Sequence, residues 1–574
     1  MYADEVVPGN VLGKAERKTW AIYASFLDFP LEVLSSEYAW ILLSCIRAPR
    51  VSKLRAGIGQ CLAVVLKSLF FNPLCPAAGG VYLPDVSGAG LRLFVELAAL
   101  LQDGSAHKYC FNAKGDSGWK YCLLCSAHGT VTAGSTLAED GESDDGQDPI
   151  PAKQLSLAHL LLHSDKELLD SFDRLQYNAT VMSKGDLALW EKACGLTYDR
   201  CALLLDPSLR AAGILKPASQ YLHHWMHCLC SAGIMQKVIM LLLVECPKAW
   251  SLLDQFTSMW TLPRHCNGSL AHLFNKKHQK KACENMKFGC TASDILNVLP
   301  ILQRFVRVVL LAKNVHVGAC KALLASAHMV DLVHLGQHWD CCTPDALQTA
   351  AEACLASFVE AGHEQWLIKK HHWILHFAQA MRLHQKLPAC FAMERKHRFV
   401  VRFGAPVTKL KSYEETVLRE LLAEELYHLK QTGVFRSGIY LDQPRALTKR
   451  LRHVVSSVFG PLPPHSCHSS ATCHLARSVA SKGDVVLFEP WASGEVLGFL
   501  ACGGPIYAWL LIHTLLEDDE ENASALWQPT MEQMFVPAAQ VLCPLVHHRD
   551  AASGHITTMI PWPVRNWLKR QRQA

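Results

Sequence analysis

Lys369-Lys-His-His-Trp-Ile-Leu-His376, followed by Glu394-Arg-Lys-His-Arg398, is the stretch on which the fold turns. Histidines and basic residues crowd into it, yet large apolar residues interrupt them at helical spacing. That mixture predicts a helix with one face in a core and the other on something anionic. Lys369, Lys370, Arg395, Lys396 and Arg398 are the candidate contacts to nucleic-acid phosphate. Glu394 sits inside the cationic run, where a carboxylate is either ion-paired or used. The competing reading is a solvated basic helix with snorkelling side chains.

Working outward, 574 residues are too many for one core and predict roughly three or four domains. Half the residues are hydrophobic and 19% are charged, which places most of the chain in the globular class. A net charge of +5 is small for this length, so the basic residues matter as local clusters. The 23 cysteines are an odd number without the regular spacing of a secreted disulfide scaffold. Met1-Tyr-Ala-Asp-Glu lacks the basic-then-apolar pattern of a signal peptide. The expectation is an intracellular protein, nuclear or cytoplasmic and not secreted, with most cysteines acting as small buried hydrophobes.

Val496 to Leu516 is uncharged and long enough to span a membrane. Gly503-Gly504-Pro505 interrupts it, and two strands around that turn explain it better, so no membrane is expected. Residues 31 to 42 suggest helix, Val81-Tyr82-Leu83 a strand, and Leu91 to Leu101 a helix. Ala138 to Asp148 is acidic and lacks aromatics, the clearest linker or exposed loop. From Leu155 to Leu429 the pattern is mainly helical, including a long buried helix over Tyr221 to Val244. Ser293-Asp294, Pro344-Asp345 and Ser412-Tyr-Glu-Glu415 mark helix starts. After Pro461-Leu-Pro-Pro464 the texture turns to short β-rich runs. The expected organisation is an α/β part over 1–137 and a linker over 138–150. A helical region over 151–460, a small β domain over 465–563 and a basic tail over 564–574 follow.

Cys122-Leu-Leu-Cys125 has the spacing at which two thiolates grip one zinc, but a tetrahedral site needs two further ligands. His223-His224-Trp-Met-His227 offers imidazoles that share a helix face, so His224 and His227 would complete a Cys2His2 site. The alternatives are buried cysteines and hydrogen-bonded core histidines. Cys467-His468 and Cys473-His474 form another possible cluster. Walker loop, dinucleotide-binding glycines, nucleophile elbow and His-Glu-x-x-His are all absent from the sequence.

In their order these segments resemble transposase-like proteins expanded in dinoflagellate genomes, similar in layout to the Plavaka, KDZ and CACTA-type DDE transposases. Lys114-Gly-Asp-Ser-Gly118 leading into Cys122–Cys125 is similar to a "KGxSG…CxxC" element. Leu215-Lys-Pro217 before Tyr221–His227 is similar to "LKP…YxxDWMH", and Thr291-Ala-Ser-Asp294-Ile-Leu to "ASE-L-L". Lys370–His376 with Glu394–His397 is similar to "KxHHxLLH…ERKHK", and Gly483–Phe488 resembles the start of a C-terminal β segment. The resemblance spans about residues 20 to 550.

It implies an α+β protein, predominantly helical, with a degenerate RNase H-like core and a small C-terminal β domain. It also implies three acids holding two magnesium ions for DNA strand cleavage and transfer. Carried over, the first acid is Asp103, the second falls on His224, and the third is Asp294. Neutral imidazole cannot bridge two hard cations as a carboxylate does. The expected function is therefore a transposase-derived DNA-binding protein, catalytically impaired, with structural zinc and with magnesium only if it is active. A homo-oligomer is compatible with this reading. The alternatives are an active DDE transposase that recruits Asp199 or Asp206, and a helical interaction scaffold without a nucleic-acid role.

Overall fold

A computed structural model describes residues 1–8, 15–83, 90–128, 155–266, 269–431, 435–460, 463 and 466–573. The acidic stretch expected as a linker, and most of the proline-rich link after Gly460, lie outside them. About 49% of the chain is helical and 20% is strand, so the class is α+β. The chain forms two compact units, each assembled from two stretches. The first joins Met1–Cys228 to His363–Phe435, and the second joins Leu229–Gly362 to Arg436–Ala574. The composition changes near 137, 150 and 460 are thus changes of texture along the chain, while compaction joins segments far apart in sequence.

In the first unit, β1 (Tyr2–Val6), β2 (Thr19–Ala24) and β3 (Ile41–Arg47) form an antiparallel sheet in that spatial order. Ile41–Arg47 is a strand where residues 31 to 42 suggested helix; Leu31–Leu34 is α-helical there and Glu37–Ala39 is a 3-10 turn. A Leu-rich run of this length carries no decisive period, and pairing with the fully buried β2 decides it. A short hairpin of β4 (Val81–Leu83) and β5 (Leu91–Leu93) follows. The helix expected over 91–101 is instead β5 and β6 (Leu100–Gln102). β6 runs parallel to β7 (Tyr221–His223). The Met1 ammonium donates to Ala99 O at 2.7 Å and Leu101 N–H donates to Met1 O at 2.8 Å. That is the bonding of a parallel bridge, and it sets β6 beside the first strand.

Tyr221 to Val244 is not one helix. β7 ends at His223, a turn of helix covers Trp225–Leu229, and the next helix begins at Ile234. Continuous hydrophobicity hid the break, because a strand buried on both sides and a buried helix look alike. The helix Gly57–Phe71 packs Leu62 and Leu66, both fully buried, into a core with Leu100, Phe111 and Phe172. Gly104, directly after β6, approaches Trp373 so closely that a Cβ would overlap the indole.

The second unit holds the helices Ile234–Glu245, Ala292–Phe305, Val317–Asp331 and Pro344–Glu360. Its other stretch carries a nine-stranded sheet, curled into a half-barrel, in which every pairing is antiparallel. Residues 496–516 fall in its central hairpin: Ala492–Cys502 and Ile506–Asp519 pair across the Gly503-Gly504 turn. Two other segments, Trp225–Glu245 and Ala292–Lys313, have the length and apolarity of a membrane span; most of the first is buried in protein. The basic tail is a helix, Trp562–Gln573, that buries Val564 and Leu568.

Candidate metal centres

Three groups of metal-ligating side chains converge among the described residues, all in the first unit. The first is Cys122, Cys125, His372 and His376. A strand-like segment pins the Cys-x2-Cys turn: His163 N–H donates to Leu124 O and Ser126 N–H to Leu161 O. The helical turn Lys369–Trp373 runs into the 3-10 turn Ile374–His376, placing His372 and His376 one turn apart on one face. Cys122 Sγ is 3.4 Å from His376 Nε2, and Cys125 Sγ is 3.2 Å from His372 Nε2. The two Nε2 atoms are 3.2 Å apart. Tetrahedral zinc with ordinary bonds places two nitrogens about 3.3 Å apart, a nitrogen and a sulfur about 3.6 Å apart and two sulfurs about 3.8 Å apart, so the three nitrogen–sulfur and nitrogen–nitrogen separations here are near those of that ion. All four side chains are buried, and Gln379 Oε1 lies 2.9 Å from His376 Nδ1, the outer-shell contact that fixes a ligating imidazole. Cys125 is held well below the ordinary thiol range by the hydrogen bond from Cys122 and by His372 and His376, while burial pushes Cys122 up.

The expected Cys2His2 set is therefore split. Cys122 and Cys125 meet His372 and His376, both from the opening stretch, and His224 and His227 belong to a second group with Cys390. The misassignment followed from treating 221–244 as one helix. The break after β7 turns His224 and His227 towards the start of the helix Phe391–Gly404 instead. The pairs at Cys467-His468 and Cys473-His474 do not gather into such a group among the described residues.

The third group is Asp4, Glu394 and His397. Asp4 lies in the middle of β1, and the Tyr2 hydroxyl, on the same face, donates to Asp4 Oδ2 at 2.8 Å and to Glu394 Oε1 at 3.1 Å. His397 Nε2 is 3.3 Å from Asp4 Oδ2, with its Nδ1 3.1 Å from the Tyr23 hydroxyl. Asp103 follows β6 and caps the helix Gly104–Cys110, its Oδ1 accepting from Ala106 N–H at 2.6 Å. Burial, and then the charge of Asp4, raises the carboxyl of Asp103, and the same two causes raise Glu394. Asp4 is held down by His397, Tyr2 and the Glu5 amide against its own burial. Like charge of Asp4 on Asp103 and on Glu394 is the condition that cation binding relieves.

The carried-over catalytic set of Asp103, His224 and Asp294 fares unevenly. Gln102 pairs with His223 across β6 and β7, so Asp103 and His224 leave adjacent strand ends together. Asp294 belongs to the second unit and is occupied as a helix cap. Its Oδ2 accepts from the Thr291 amide and hydroxyl in a capping box. Asp199 and Asp206, the proposed substitutes, pair with Arg55 and Lys67. The sequence reading includes no role for Asp4 and leaves Glu394 either ion-paired or used. Its signal was the Tyr2-x-Asp4 alternation of a strand and the Glu394-x-x-His397 spacing of one helix face.

Of the expected phosphate contacts, Lys396 is 1% exposed and pairs with Glu425, and it also donates to the carbonyls of Glu37 and Trp40. Its ammonium is thus committed inside the fold. Arg395 donates to Ser35 O at 2.6 Å, and Arg398 pairs with Glu37 while remaining largely exposed. The Lys369 ammonium lies 5.6 Å from the Tyr121 ring centre and is pushed down to about 7 by burial. Lys370 is half-buried, and its charge acts on Asp103. Replacing Lys396 with Ala should destabilise the protein by about 3 to 5 kcal/mol, because Glu425 is left buried and unpaired. Urea denaturation checks this, and a change within 0.5 kcal/mol, the range of an ordinary surface substitution, would remove the pair's structural role.

No protein-family model matches this chain, and no curated protein is significantly similar to it.

Proposed function

We propose that the first unit is an RNase H-like core of transposase descent, in which Asp4, Asp103 and Glu394 hold divalent cations for DNA strand cleavage and transfer. The observation that carries this reading is the meeting of Asp4 from β1 with Glu394 from the helix Phe391–Gly404, with Asp103 at the end of β6 within reach of the charge of Asp4. The antiparallel sheet β3-β2-β1 and the parallel pair β6-β7, tied together by two hydrogen bonds between Met1 and the start of β6, support it. So does the donor chemistry, since the carboxylates that stand beside His397 suit magnesium or manganese. Two such cations supply Lewis-acid stabilisation of the attacking and leaving oxygens of a phosphodiester. Tyr2 orients both Asp4 and Glu394 by donating to each, and His397 fixes the second side of Asp4. Lys370, whose charge already reaches Asp103, is suited to the DNA backbone.

His224 takes no acid away from this set, so impairment does not follow from that position alone. A second reading, a DNA-binding descendant without cleavage activity, is favoured by the engagement of Asp4 with His397 and Tyr2. Incubation of the full chain with supercoiled plasmid in magnesium or manganese decides between them. The proposal expects nicking that EDTA abolishes. Absence of cleavage by folded wild type with either ion would overturn it, and cleavage gained only on His224→Asp would establish the decayed form.

A further inference from the structure

The second group, His224, His227 and Cys390, lies in the same unit as the zinc-type set but shares no ligand with it. His224 Nδ1 and His227 Nδ1 are 3.3 Å apart, and they stand 3.5 and 3.6 Å from Cys390 Sγ. A tetrahedral zinc ion places two nitrogens about 3.3 Å apart and a nitrogen and a sulfur about 3.6 Å apart, from its usual bond lengths. All three edges agree with one face of that tetrahedron.

The chain supplies this triangle from two places. His224 leaves the end of β7, and the helical turn Trp225–Leu229 brings His227 three residues on to the same side. Cys390 is the N-cap of Phe391–Gly404, so its thiol sits at that helix's start. His224 and Cys390 are almost fully buried, while the side chain of His227 is 21% exposed and gives a route inward. Beyond the triangle, Glu394 Oε1 is 3.8 Å from both Cys390 Sγ and His227 Nε2.

We propose that His224, His227 and Cys390 form a second transition-metal site, selective for zinc over magnesium, with three protein ligands and an open fourth position. The soft thiolate and two imidazoles disfavour hard cations, whereas Asp4, Asp103 and Glu394 disfavour soft ones. One unit would thus keep two kinds of cation apart by donor chemistry alone. Three protein ligands with a vacant position are the arrangement of reactive zinc sites, unlike the closed Cys2His2 set. Binding releases the thiol proton of Cys390 to solvent, since only the thiolate ligates.

The test is zinc stoichiometry of the full chain, stripped with chelator and titrated with zinc. Two equivalents are expected for wild type, and one for Cys390→Ser and for His227→Gln. Cobalt as probe should give a thiolate charge-transfer band that loses intensity in Cys390→Ser yet persists from Cys122 and Cys125. A single equivalent in wild type, or two retained in both variants, would overturn the site. Should Cys390→Ser misfold, His227→Gln at the half-exposed position still decides. The stoichiometry is measured without magnesium or DNA, so its outcome is separate from that of the cleavage assay.

Discussion

Asp103→Asn is expected to lower magnesium-dependent DNA cleavage by about a thousandfold or more while leaving the metal-free protein at least as stable as wild type. The two halves of that result come from one fact. Asp103 is partly buried near the charge of Asp4, and burial and that charge raise its carboxyl against the Ala106 amide, His227 and Lys370. Asparagine removes the charge but keeps the carbonyl oxygen that accepts from Ala106 N–H, and it caps helices as well as aspartate does. Stability is therefore retained or gained. Activity falls because a neutral amide is a poor ligand for a hard cation, and losing several kcal/mol of charge stabilisation corresponds to a factor of about a thousand. Glu394→Gln should behave alike, since Gln can still accept from Tyr2. Cleavage within tenfold of wild type in both variants would remove the acidic group from the chemistry, and thermal denaturation in EDTA reads the stability half.

The sequence made some of this legible and hid the rest for identifiable reasons. Pro344 and the Thr291–Asp294 box announce helices through local chemistry, and the structure has helices there. The Gly503-Gly504 turn likewise separates two strands that hydropathy alone would have joined. Local signals failed where pairing at long range decides. Ile41–Arg47, Leu100–Gln102 and Tyr221–His223 are short apolar runs that become strands only because β2, Met1 and each other supply partners. The site was obscured by the same cause. Asp4 and Glu394 are separated by most of the first unit, and only the sheet and the helix Phe391–Gly404 bring them together. The stretch Lys369–His376 was conspicuous from the start, but its histidines are buried, and His372 and His376 are partners of the Cys-x2-Cys turn rather than a face for an anion. Burial of a cluster of histidines is invisible without the elements that cover it.

Removing zinc should be the most damaging single change to the first unit. Structural zinc binds with an apparent free energy on the order of 10 kcal/mol, and where the site is absent from the unfolded chain that energy adds to folding. Cys122, Cys125, His372 and His376 join the segment after Trp119 to the segment after Leu367, ligands that loop closure holds apart in the unfolded state. Even a third of that energy, about 3 kcal/mol, would lower the melting temperature by roughly 6 to 12 °C for a domain of 150 to 250 residues, and somewhat less for a larger unit. Cys122→Ala should therefore lose one zinc equivalent and melt well below wild type, and a chelator should bring wild type down at least as far. Acidification acts in the same direction, because protons compete with the metal for the thiolates. The opposing account is a hydrogen-bonded core cluster with no ion. It predicts no effect of chelator and a loss for Cys122→Ala of only about 1 to 3 kcal/mol, the cost of an unsatisfied buried partner. Chelator sensitivity separates the two, because a hydrogen bond between Cys125 and His372 is indifferent to EDTA and a zinc bond is not.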